Sequence, residues 1–163
     1  MTTIAFDGRF LAADGRATAG GMITNRNTQK IFPLRMSANG LEVNGVLAGA
    51  GSFEAICMIK KHLESYDLFD AELIPELEPE SAGALVILET GEVYILEHKL
   101  VPMTQEVPCS IGSGSPYAMA AMIAGKSAPA AVEVAKELDC YSGGLVRVFD
   151  VQTWDFVKIP AAA

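Results

Sequence analysis

Thr2-Thr3-Ile4-Ala5-Phe6-Asp7-Gly8-Arg9-Phe10-Leu11-Ala12-Ala13-Asp14-Gly15, at the start of the sequence, carries the pattern on which the fold turns. Two short apolar runs, at 3–6 and 10–13, each end in an Asp-Gly pair. Asp-Gly between apolar runs suits the tight turn of a β-hairpin, whose central residues need positive φ. A hairpin is expected here, with the second Asp-Gly closing its return strand. Outward from it, a Gly- and Ala-rich stretch leads to residues 28–36, a strand that contains Lys30, Ile31 and Phe32. Ser37-Ala38-Asn39-Gly40 marks another turn, and residues 41–47 form a strand running into Ala48-Gly49-Ala50-Gly51. The N-terminal third therefore reads as a small antiparallel sheet.

A helix is expected over residues 52–66, capped by Ser52, with Phe53, Ile56, Ile59 and Leu63 on its apolar face. Residues 68–82 carry acids, Pro75 and Pro79, and read as a loop. A second hairpin follows, 84–88 and 93–96 about Glu89-Thr90-Gly91-Glu92, and then a short strand at 109–111. Ser115 followed by Pro116 is a helix start, a cap with proline at the first helical position. Ser127 opens a further helix over 129–138, and strands close the sequence at 145–150 and 156–159. Segregated runs of strand and helix specify an α+β fold, a single domain over residues 1–163 with sheets covered by helices.

Composition narrows the function. Apolar residues make up 50% of 163, enough for a substantial core, and 20 acids against 12 bases give a net charge of −8. That excess of acid argues against nucleic acid, whose binding needs basic charge to displace counterions, and against anionic membranes. No run of about 18 apolar residues is present, so no membrane span is expected. Three cysteines without a C-x-x-C spacing read as reduced thiols, which points to the cytoplasm; Cys140 is read as apolar filler. His62 and His98 are the only histidines, which excludes a multi-histidine metal centre, and both read as surface residues. Residues 62–98 hold 10 of the 20 acids and no Lys or Arg, which reads as a solvated face or a docking surface for a basic partner.

The familiar catalytic motifs are absent: there is no G-x-S-x-G, no P-loop and no G-x-G-x-x-G. One nucleophile needs no histidine. Thr2 follows Met1, and methionine is trimmed before so small a residue, which would leave Thr2 with a free α-amine. Such an amine titrates near pH 8, low enough to accept the proton of the Thr2 hydroxyl. From the residues alone this signal is weak: Asp14-Gly15 is also an ordinary turn, Lys30 also a solvent-facing lysine, and Asp139 also a helix end.

The order of several short motifs sharpens the reading. Thr2-Thr3-Ile4-Ala5, Asp14-Gly15-Arg16-Ala17-Thr18, Gln29-Lys30-Ile31, Leu47-Ala48-Gly49, Ile111-Gly112-Ser113-Gly114-Ser115-Pro116-Tyr117 and Asp139-Cys140-Tyr141-Ser142-Gly143-Gly144 together resemble HslV and the proteasome β-subunits. These belong to the N-terminal nucleophile (Ntn) hydrolases. The resemblance spans nearly the whole sequence and is poor between about 66 and 108. It implies an αββα sandwich of two antiparallel sheets covered by helices. One helical layer would be shortened, because the segment before residue 84 is short and carries prolines.

The resemblance also implies roles. Thr2 would be the nucleophile and its amine the proton acceptor. Lys30 would sit beside the Thr2 hydroxyl, and Asp14 would hold Lys30 charged and oriented. Ser113, Asp139 and Ser142 would surround the amine, and the Gly49 N–H would stabilise the oxyanion. Arg16, Ala17 and Thr18, with Ala48, would flank an extended substrate, and Ala17 and Leu47 would line an apolar specificity pocket. No metal or organic cofactor is expected. The implied activity is that of a threonine-type endopeptidase acting on peptides or unfolded protein. As in the HslV type, Met1 alone would be removed to expose Thr2. A homo-oligomeric ring is implied, while the short middle segment counts against docking of an ATPase unfoldase. Two other functions remain open: a small-molecule Ntn amidohydrolase, and a non-catalytic assembly or interaction protein.

Overall fold

Strands β1 (Ile4–Phe6) and β2 (Phe10–Ala13) form the expected hairpin, with Ile4 opposite Ala13 and Phe6 opposite Leu11. The structure is a computed structural model that describes residues 2–70, 82–97 and 99–158. The hairpin is the centre of one five-stranded antiparallel sheet. Its neighbours are β10 (Cys109–Ile111) beside β1, and β11 (Arg147–Asp150) with β12 (Asp155–Phe156) beyond β2. A second five-stranded sheet runs in simple meander order: β5 (Ile31–Ala38), β6 (Leu41–Gly51), β7 (Ala82–Leu88), β8 (Val93–Leu96) and β9 (Met103–Thr104). The N-terminal third is thus not one sheet. Its strands divide between two sheets, and the Gly- and Ala-rich stretch between them folds as a separate hairpin, β3 (Ala17–Ala19) and β4 (Met22–Asn25). The Gly20-Gly21 pair at its tip is the turn signal that marks it in the sequence. Pro33 fits because β5 is an edge strand, where a missing N–H breaks no ladder.

The two sheets pack face to face. Ile4, Phe6 and Leu11 of the first meet Ile31, Val46, Ala48, Leu85 and Ile87 of the second. Burying an aliphatic chain of this size contributes roughly 1.5–3 kcal/mol, so this seam holds the two sheets together. Strand alternation sends Leu47, Ala84, Val86 and Leu88 to the opposite face, under α1 (Phe53–Ser65) and its Ile56, Ile59 and Leu63. On the far side of the first sheet, Ala5 and Ala12 receive α2 (Ser115–Ile123) and α3 (Ala128–Leu138) through Ala118, Ala128, Ala131 and Ala135. Helix, sheet, sheet, helix is the αββα sandwich expected from the sequence. The residues expected as a proline-bearing loop between α1 and β7 lie, at 71–81, outside the described residues, as do His98 and Ile159.

Two helix starts differ from expectation. The N-cap of α2 is Gly114, with Ser115 already helical. Ser127 does occupy the cap position of α3, but its side chain makes no capping bond. The first turn of α3 is held instead by Asp7, whose Oδ2 accepts from the Ala128 N–H at 2.7 Å while Oδ1 accepts from Arg9 and Phe10 N–H. The Asp7-Gly8 turn of the first hairpin thus also docks the third helix. Asp7→Ala should lower stability by about 1 kcal/mol, the usual cost of a lost cap, read as a fall in urea midpoint at unchanged slope.

Candidate active site

Thr2 lies at the mouth of the seam, just before β1, and is only 3% exposed. Two clusters flank it. The first is Asp14 and Lys30, both buried, with Lys30 Nζ 2.9 Å from Asp14 Oδ1. Asp14 sits at the C-terminal end of β2 and Lys30 just before β5, so strand ends from the two sheets bring the pair together. The Lys30 ammonium donates to Asp14 Oδ1, to the Arg16 carbonyl at 2.7 Å and to the Thr2 hydroxyl. Three acceptors match the three protons of a charged lysine. Burial holds the Lys30 pKa below its ordinary value, and the Asp14 carboxylate offsets that only in part. Asp14 accepts further bonds from the N–H groups of Thr3 (3.0 Å), Arg16 (3.2 Å) and Gly143 (2.8 Å). Those four donors fix the carboxylate, and the carboxylate fixes the ammonium against Thr2.

The second cluster is Ser113, Asp139 and Ser142. Asp139 Oδ2 accepts from Ser113 Oγ at 2.6 Å and from Ser142 Oγ at 2.5 Å, and Oδ1 accepts from the Tyr141 N–H. Burial opposes ionisation of Asp139, but the bonds from Ser113, Ser142 and Tyr141 outweigh it and hold the carboxyl below its ordinary value. Ser113 Oγ also lies 3.4 Å from the Thr2 carbonyl. Asp139 is the C-cap residue of α3, where an acid opposes the helix dipole; its two hydroxyl partners compensate. The loop after β10 reaches Thr2 because it has no side chains in the way. A Cβ on Gly112, at φ +95°, would stand 2.0 Å from the Thr2 carbonyl oxygen, and one on Gly114 would stand 1.8 Å from Thr3 Oγ1.

The expected oxyanion donor is in the wrong place. Gly49 lies inside β6, and its N–H donates to the Lys30 carbonyl at 3.0 Å. Its lack of a side chain serves packing instead, since a Cβ there would meet Ile56 at 2.5 Å. Two residues on, alternation points the Gly51 N–H to the same edge of β6, beyond the point where β5 begins. Ala50 lies beside Gly112 and hence beside Thr2, so the end of β6 is the segment that borders Thr2. The signal was the glycine directly before the Ser52 cap.

The other expected residues divide. Arg16 donates from Nη1 to the Cys140 carbonyl at 2.9 Å, and its guanidinium fills the space that Gly143 leaves. Ala17 and Thr18 are half-buried on β3. Leu47 and Ala48 are wholly buried, Leu47 beneath α1 and Ala48 in the seam, so neither borders open space. His62 is not a surface residue: it packs inward from α1 against Tyr66, and burial lowers its pKa. Cys140 is exposed rather than apolar filler, whereas Cys109 is buried, with its thiol pushed up to about 11. Among the described residues no group of His, Cys, Asp and Glu could hold a metal ion, and no helix is long and apolar enough to cross a membrane.

No protein-family model matches the sequence, and no curated protein does. The solved structures answer differently. The fold is that of Thiobacillus denitrificans BPH. The two share 23% identity at a TM-score of 0.64, over 91% of this chain and 96% of BPH. For BPH in complex with epoxomicin the TM-score is 0.66 at 22% identity, over 92% of this chain and 97% of BPH. The likeness to BPH runs almost end to end, is one of fold, agrees with the αββα sandwich, and does not single out the HslV type.

The buried pair makes a stability prediction. Removing one charge of a buried pair costs roughly 3–5 kcal/mol, because the partner is left uncompensated. Asp14→Ala and Lys30→Ala should each be destabilised on that scale, and the double variant by clearly less than the sum. Urea titration of the four proteins checks this cycle.

Proposed function

We propose that the protein is a threonine peptidase that cleaves peptide bonds through an acyl-enzyme on Thr2, once Met1 has been removed. The observation that carries the reading is the Lys30 ammonium bonded at once to the Thr2 hydroxyl and the Asp14 carboxylate. A cation held there lowers the cost of forming the Thr2 alkoxide, and it disfavours a second positive charge on the neighbouring amine. The freed α-amine takes the hydroxyl proton, so one residue supplies both nucleophile and base.

In the first step Thr2 Oγ1 attacks the substrate carbonyl and its proton passes to the amine. The oxyanion forms at the end of β6, where the Gly51 N–H takes the role expected of Gly49; one such donor contributes roughly 3 kcal/mol. The ammonium then protonates the leaving amine and the C–N bond breaks. Water enters, the amine accepts its proton, and hydrolysis of the ester frees the acid and restores the Thr2 hydroxyl. Asp139, with Ser113 and Ser142, holds the amine between these transfers. The substrate lies extended along β3, with Arg16, Ala17 and Thr18 on one side and Ala50-Gly51 on the other. The sequence resemblance to the proteasome β-subunits also favours a homo-oligomer with inward-facing sites acting on unfolded chains, and the free cysteines favour the cytoplasm.

The test is intact mass before and after epoxomicin, a peptide epoxyketone that bridges a threonine hydroxyl and its free α-amine. The reading requires loss of Met1 and one adduct per chain, mapped to Thr2. Retained Met1 without an adduct would leave a non-catalytic interaction protein. Loss of Met1 with an adduct only from small acyl reagents would favour a small-molecule amidohydrolase.

A further inference from the structure

Thr3 belongs to neither cluster by sequence, yet it touches both. Its backbone serves the first: the Thr3 N–H donates to Asp14 Oδ1 at 3.0 Å, and the Thr3 carbonyl accepts from the Asp14 N–H at 3.1 Å. Its side chain serves the second: Thr3 Oγ1 lies 2.6 Å from Ser142 Oγ. Thr3 and Ser142 are both 0% exposed, so neither hydroxyl has solvent as a partner. The space for the Thr3 hydroxyl exists only because residue 114 is glycine; a Cβ there would stand 1.8 Å from Thr3 Oγ1 and 3.1 Å from Ser142 Oγ.

Proton counting fixes the direction of the chain. An ionised carboxylate only accepts, so Ser142 spends its one proton on Asp139 Oδ2. Ser142 Oγ must then accept from Thr3, and Thr3 is the donor. A donor behind Ser142 polarises its hydroxyl and strengthens the bond onward to Asp139. We infer that Thr3 is a positioning residue, whose hydroxyl locks Ser142 onto Asp139 and thereby sets the carboxylate that serves the Thr2 amine. The charged and titratable groups around this chain are Asp139 itself, the Thr2 amine, Arg16, whose guanidinium lies against Gly143 and donates to the Cys140 carbonyl, and Asp14 with Lys30 on the other side of the strand. The inference rests on the peptidase reading for its kinetic consequence but not for its titration consequence.

Three variants test it, in the processed protein. Thr3→Val keeps the shape and removes the hydroxyl, Thr3→Ser keeps the hydroxyl, and Ser142→Ala removes the intermediary. The first readout is a carbon-13 titration of the Asp139 carboxyl, which needs no activity. Thr3→Val should move the Asp139 titration upward, Thr3→Ser should leave it at the wild-type position, and Thr3→Val should add nothing once Ser142 is alanine. The second readout is peptide turnover. Thr3→Val should lower kcat roughly tenfold with KM unchanged and shift the acid limb of the rate profile upward, the scale of one lost hydrogen bond. An unmoved Asp139 titration in Thr3→Val overturns the inference. A moved titration in a protein that shows no turnover supports the inference and overturns the peptidase reading instead. Should valine at position 3 not fold, the wild-type protein still decides: a Thr3 hydroxyl proton slow to exchange supports the assignment, and one exchanging at the solvent rate overturns it.

Discussion

A lysine and an aspartate buried against one threonine hydroxyl set the terms for the whole structure. Neither charge is tolerable alone in that place, and the pair is tolerable only because every donor and acceptor is used. Asp14 takes four N–H donors, from Thr3, Arg16, Gly143 and Lys30, and Lys30 gives its three protons to Thr2, Asp14 and Arg16. Those partners come from the end of β2, the start of β5, the strand that follows Thr2, and the turn after α3. The site therefore requires both sheets at their observed separation. The seam of Ile4, Leu11, Ile31, Val46, Leu85 and Ile87 supplies that separation. The fold does not merely carry the site; the apolar layer sets the distance across which the ion pair closes.

Small residues are the second constraint. Gly112 and Gly114 let the loop after β10 close on the carbonyl of Thr2 and the hydroxyl of Thr3, Gly143 gives room to the Arg16 guanidinium, and Gly49 gives room to Ile56. Each is a place where one methyl group would separate elements that must touch. The same economy holds in the outer layer, where Ala5 and Ala12 face Ala128, Ala131 and Ala135. Helices that approach a sheet on alanine lie close to it, which carries Asp139 at the end of α3 within reach of Ser113 and Ser142.

Much of this was legible in the sequence because it is local. Asp-Gly pairs between apolar runs mark the first hairpin, Ser52 caps α1, and the apolar runs 84–88 and 93–96 about Glu89-Thr90-Gly91-Glu92 mark the second hairpin. The division of the N-terminal strands between two sheets was not legible, because partner choice depends on which faces meet, and each run is apolar enough for either sheet. The cap of α3 was missed because the capping side chain, Asp7, lies far away in sequence. Gly49 was assigned through the motif Leu47-Ala48-Gly49, whereas the ladder consumes its N–H at Lys30 and leaves Gly51 at the strand end. Thr3 was read as part of a strand because nothing in a lone threonine announces a buried hydroxyl partner 139 residues away. Thr2, Asp14, Lys30, Ser113, Asp139 and Ser142, by contrast, were singled out by motif order although they are far apart in sequence, and the fold brings them together.

The central claim is that Lys30 is a charged lysine whose protons are shared among Thr2, Asp14 and Arg16. A neutral amine would donate only two protons and turn its lone pair to the Thr2 hydroxyl, making Lys30 a base and the chemistry different. Nitrogen-15 NMR of the Lys30 side chain across pH reads this directly. The account predicts an ammonium signal at pH 7 that titrates below an ordinary lysine and moves lower still in Asp14→Asn. A neutral Lys30 amine at pH 7 in the wild-type protein would contradict it.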